Sequence, residues 1–97
     1  MKEIEARLPA GVELDHMPAL VQKAVDAEKL TISRKGSLAG YPGSIHWHLK
    51  QGKQPGTLEL TWWPNGNRLW FKVADGRQGD WIDQAIERLK ARLITIS

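Results

Sequence analysis

No cysteine occurs among the 97 residues. Its absence removes disulfides, thiolate zinc sites and cysteine nucleophiles, and it suits a reducing compartment. Phenylalanine and tyrosine occur once each, against five tryptophans, so the aromatic chemistry rests on indoles. No apolar run approaches the ~20 residues a membrane-spanning helix needs. The opening MKEIEARLPAGVEL carries acids where a signal peptide needs an apolar stretch. The expectation is a soluble cytoplasmic protein with no membrane partner. Acids are also scarce in one region. Between residues 31 and 79 only Glu59 and Asp75 stand against Arg34, Lys35, Lys50, Lys53, Arg68, Lys72 and Arg77, a local sum of +5, whereas residues 1–30 sum to −2 and residues 80–97 to 0. The overall charge of +3 therefore belongs to the middle of the chain, an asymmetry that suits an anionic partner.

A chain of this length forms one domain, residues 1–97, with a single modest core. Its most informative stretch is TLELTWW, PNGN, RLWFKVA, residues 57–74. Asn65-Gly66 is a strong hairpin signature, because a type I′ turn needs φ > 0 at both central residues. That turn sets Trp63 opposite Arg68, Trp62 opposite Leu69 and Leu60 opposite Phe71. Ser44 to Lys50 alternates as well, with Ile45, Trp47 and Leu49 on one side and His46, His48 and Lys50 on the other. If the polar loop 51–56 closes symmetrically, three strands share one apolar face, in rows Leu49–Leu58–Val73, Trp47–Leu60–Phe71 and Ile45–Trp62–Leu69.

Helical spacing brackets these strands. Met17, Leu20, Val21, Ala24 and Val25 recur on one face, with Pro18 tolerated in the first turn and Asp15 or Met17 as the cap. Ile82, Ala85, Ile86, Leu89, Leu93 and Ile96 form a second stripe behind the candidate cap Asp80. A sheet with one apolar face needs a cover, and two amphipathic helices provide it. The expected fold is α+β: a two-layer sandwich with an antiparallel meander of three to four strands (about 44–50, 57–64, 67–74 and the candidate 30–35). Helices at about 16–29 and 80–95 cover one face. Residues 1–14, broken by Pro9 and Gly11, read as an irregular or short extended lead-in.

The second face is expected to be open and to display Trp63 and Arg68, then His46, Thr61 and Trp70, then His48, Glu59 and Lys72. Exposed aromatics beside cations are what a stacking platform for unpaired bases requires, since every base has a π-face and the cations meet phosphates. Trp63, Trp70, Arg68, Lys72, His46, His48 and Lys50 are the candidate ligand-binding residues, with a cation–π contact between Arg68 and Trp63. His46 and His48, two residues apart on a strand, share one face, and Glu59 stands opposite His48 as a third ligand. So small a set reads as a solvated or hydrogen-bonded pair, and neither a metal nor another cofactor is expected. Gly76-Arg77-Gln78-Gly79 before the last helix reads as a turn, because Asp80 and Asp83 place negative charge where an anion would bind.

The order helix, three strands, helix over about residues 15–95 resembles that of the double-stranded-RNA-binding domain. That family opens its last helix with lysines, where this chain has the acidic GDWID, and it carries a histidine in the loop where this chain has QGKQPG. No residue role is carried over. The expectation is a small non-enzymatic binding module whose aromatic and basic sheet face engages single-stranded nucleic acid or another anionic partner. The alternative is a protein-interaction or self-associating module, such as a homodimer, that buries the same face.

Overall fold

Strict alternation builds the centre of the sheet. In the computed structural model, which describes residues 2–8, 13–76 and 78–94, the strands are β1 (Lys2–Ala6), β2 (Thr31–Gly36), β3 (Ile45–Lys50), β4 (Leu58–Trp63) and β5 (Arg68–Val73). The helices are α1 (Met17–Ala27) and α2 (Ile82–Ile94). The sheet order is β1-β5-β4-β3-β2, with every neighbouring pair antiparallel. The expected register holds: Ile45 faces Trp62, Trp47 faces Leu60, Leu49 faces Leu58, Leu60 faces Phe71 and Trp62 faces Leu69. All of these side chains but the partly buried Ile45 are buried against Met17, Val21 and Val25 of α1 and Ile86, Leu89 and Leu93 of α2. Trp62 points into this core and Trp63 away from it.

The sheet has five strands rather than three or four. Residues 31–36 form the edge next to β3, and the lead-in supplies the opposite edge, where β1 pairs Ile4 with Phe71 and Glu5 with Trp70. KEIEA has one strong strand former, so its conformation comes from pairing with β5 rather than from propensity. Lys2 reaches Asp83 at 2.7 Å and ties this strand to the first turn of α2, where Asp83 also complements the helix dipole.

The hairpin register is right, but its turn is not type I′. Pro64–Gly66 form a 3-10 turn, Asn67 N–H donates to Pro64 O at 3.0 Å, and Asn67 takes the left-handed conformation (φ 50°). Proline's fixed φ favours this right-handed entry. A four-residue loop and a two-residue turn centred on one point give the same pairing, which is why Trp63 still faces Arg68. Gly66 matters for a different reason: a Cβ there would stand 2.3 Å from the Trp63 ring.

The helix caps also differ from expectation. A 3-10 turn (Leu14–His16) leads into α1, so His16 occupies its N-cap. Helix α2 starts at Ile82, one residue too late for Asp80 to cap it. Ile96, Arg77 and the Pro9–Gly11 break lie outside the described residues. Helix α1 ends in a Schellman arrangement, with Leu30 N–H on Val25 O and Lys29 N–H on Asp26 O. Lys29 holds the left-handed position at φ 58°. Because this conformation costs an L-residue about 1–2 kcal/mol and glycine gives back about 0.5–1 kcal/mol in chain entropy, Lys29→Gly is expected to raise stability by about 0.5–1 kcal/mol. Urea denaturation checks this, and a lower midpoint would refute it.

Candidate functional site

The second face of the sheet follows from the same registers. Across it run Glu3, Lys72, Glu59, His48 and Arg34 in one row, and Glu5, Trp70, Thr61, His46 and Gly36 in the next. Trp63 and Arg68 face each other beyond these. The sequence therefore groups the candidate residues correctly, but it does not show how far they are covered.

The aromatic half is closed. Trp70 is only 2% exposed. Tyr41, from the glycine- and proline-rich connection between β2 and β3, places its ring 5.0 Å from Trp63 and 5.1 Å from Trp70. The connection is pinned there, since Trp63 Nε1 and Asn65 Nδ2 both donate to Pro42 O, at 3.0 and 3.1 Å. The guanidinium of Arg68 covers Trp70 at 4.0 Å from the ring centroid. This corrects the expected contact with Trp63. Residues 68 and 70 lie on the same side of one strand, and the acids of β1 draw Arg68 that way: its Nε donates to Glu5 at 2.7 Å and its Nη2 to Glu3 at 3.4 Å. Hydrogen bonding to Glu5 raises the Arg68 pKa above its ordinary value. The expected open platform of Trp63 and Trp70 is thus occupied by the chain's own tyrosine and arginine. The only hint in the sequence is a lone tyrosine followed by proline and glycine in an otherwise turn-like segment.

The histidine half is arranged differently. His46 Nε2 lies 3.0 Å from Glu59 Oε1 and 3.2 Å from His48 Nε2, and His48 Nε2 lies 3.9 Å from the same carboxylate oxygen. His46 Nδ1 stands 2.6 Å from Thr61 Oγ1. The His46, His48 and Glu59 side chains keep 11%, 16% and 10% of their exposure. Glu59 turns to the imidazoles although Lys72 is its direct cross-strand neighbour, and among the described residues it makes no ion pair with that lysine. Thr61, buried beneath His46, and Glu59 are the residues that strand spacing alone underrates.

Beyond the histidines lies a basic margin. Arg34 faces His48 from β2, Lys35 faces Trp47 and so leaves the other side of the same edge strand, and both are exposed. Lys53 is exposed in the next loop, while Lys50 is half-buried and donates to Gly56 O at 2.6 Å. Among the described residues Arg34, Lys35 and Lys53 have no ion-pair partner. The cleft lined by Lys2, Val73, Gln78, Gly79, Ile82 and Asp83 has room for only about 50 Å³, well below the ~300–1,000 Å³ of small-molecule sites. No helix among the described residues is long and apolar enough to cross a membrane.

No family model matches the chain, and no solved structure matches it. A stretch of 48 residues, half of this chain, is 35% identical to mouse Fibrocystin-L. It spans about 1% of that protein's length, so the likeness is local and carries no statement about activity.

Proposed function

We propose that the chain is a small non-enzymatic binding module that engages an anionic partner through the β2–β3 margin of its sheet. The observation that carries this reading is the contrast between the two edges of the sheet. Arg68 is matched by Glu3 and Glu5, whereas Arg34, Lys35 and Lys53 stand exposed without carboxylate partners among the described residues. Unmatched cations on one margin concentrate positive potential there. The absence of cysteine suits such a module to the reducing cytoplasm.

Single-stranded nucleic acid fits as a polyanion held by its phosphates. Stacking contributes little, because a base would have to displace Tyr41 from Trp70. Self-association through the aromatic pair is disfavoured for the same reason. Pairing along the β2 edge is disfavoured too, since Arg34, Lys35 and the register shift at Ser33 are the features that blunt an edge strand.

The test is an oligothymidylate titration across a range of salt concentrations. Binding is expected to weaken steeply as salt rises. Replacing both Arg34 and Lys35 with glutamine is expected to reduce the slope of log K against log salt by about 1.4, at roughly 0.7 per single-strand phosphate contact. Failure to bind DNA, RNA or heparin at low salt would overturn the reading.

A further inference from the structure

We propose that His46, His48 and Glu59 form a three-ligand site for one divalent transition-metal ion of the zinc type. The sequence favours a plain hydrogen-bonded pair. What it does not show is that three electron-pair donors from two strands converge on one point.

The distances carry the inference. Metal–ligand bonds of about 2.0–2.2 Å at tetrahedral angles hold neighbouring ligand atoms about 3.3–3.6 Å apart. The three separations here, 3.0, 3.2 and 3.9 Å, bracket that spacing. The donors are the two Nε2 atoms and one carboxylate oxygen, a set that suits zinc and its neighbours rather than calcium or magnesium. A single proton on His46 Nε2 serves both Glu59 and His48 only as a shared, bent hydrogen bond. A divalent ion between them takes all three electron pairs at once.

Two further observations fit an ion. Glu59 is 8% exposed and has no lysine or arginine ion-pair partner among the described residues. Its charge is directed at the imidazoles, and so at the point where a cation would sit. His46 is also held from behind. Its Nδ1 meets the hydroxyl of Thr61, itself 1% exposed, which fixes the ring and directs Nε2 inward, as outer-shell partners do in metal sites. Backbone geometry keeps the donors together: His46 and His48 are two apart on β3, and Glu59 is paired with His48 across the ladder. Three protein ligands leave a fourth position to water or an exogenous group. Among the described residues a second carboxylate–histidine group, Glu13, Asp15 and His16, is exposed at every member.

The experiment is titration of the full chain with Co²⁺, read by visible absorption, followed by displacement with Zn²⁺. One Co²⁺ per chain, with the intense bands of four-coordinate cobalt that Zn²⁺ abolishes, is the expected result. His46→Gln and Glu59→Gln are expected to weaken binding beyond the roughly 100-fold upper limit of outer-shell changes, and Thr61→Val by about tenfold. Near-UV circular dichroism verifies that each variant is folded. If a variant unfolds, the imidazole resonances of His46 and His48 in the unmodified chain decide the question: shifts on adding Zn²⁺ support the site, and unmoved resonances overturn it. No cobalt bands with folded protein, or affinity unchanged in His46→Gln, would overturn it as well. Loss of metal binding leaves the salt-dependent polyanion binding of Arg34 and Lys35 in place, so the two proposals fail separately.

Discussion

Trp62→Ala is expected to cost about 3–5 kcal/mol, the range for truncating a fully buried large aromatic. Trp62 is 1% exposed and sits between Ile45 and Leu69 under the helices. The loss includes the transfer free energy of the indole and the cavity that the close-packed core cannot refill. Against a total stability of about 5–15 kcal/mol for a domain of this kind, one such change leaves a marginal protein. Trp63→Ala, one residue on, is expected to cost under about 2 kcal/mol, because that ring is partly exposed and rests on Tyr41 and the Gly66 turn, with one hydrogen bond to Pro42. Urea denaturation of the two variants side by side measures the difference. Equal costs, or a larger cost for Trp63→Ala, would mean that the inner and outer faces are the reverse of those described.

Trp70→Ala is expected to cost about 3 kcal/mol, at the lower end for a buried tryptophan, although the ring lies outside the helix-covered core. The cause is a second, smaller aromatic layer. Tyr41 and Arg68 both rest on Trp70, and the loop that carries Tyr41 is anchored to the same end of the sheet through Pro42. Because Tyr41 acts largely through Trp70 and Trp63, its own truncation overlaps with that of Trp70. A double-mutant cycle between Tyr41→Ala and Trp70→Ala is expected to give a coupling of about 0.5–1.5 kcal/mol. Additive losses would mean that Tyr41 does not close this face.

Which parts of this architecture are legible in the sequence follows from the range of the interactions. The register of β3, β4 and β5 depends on alternation and on the centre of one reversal, both local, and both can be read from SIHWHLK and TLELTWWPNGNRLWFKV. The turn type departs from the Asn65-Gly66 signature because Pro64 favours a right-handed entry and passes the left-handed position to Asn67. Strand β1 is hidden because KEIEA becomes a strand only on meeting the edge of β5, far along the chain; Arg68 and Glu5, which join the two, are 63 residues apart. The open platform fails on a loop. Alternation correctly sends Trp70 away from the helices, but says nothing of a tyrosine arriving from a connection rich in glycine. The pairing of His46 and His48 is visible as a two-residue spacing, whereas the 3.0 Å approach of Glu59 depends on side-chain directions that spacing does not fix.

The proposed contact surface lies on the half of the sheet that carries the histidines and unmatched cations, while the tryptophan half serves the chain's own structure. Residue-resolved NMR of the protein during an oligothymidylate titration at low salt tests this most directly. The expected result is shift changes centred on Arg34, Lys35, His48 and Lys50, with Tyr41 and Trp70 unmoved. Changes centred on Tyr41 and Trp70, with the β2–β3 margin silent, would contradict it.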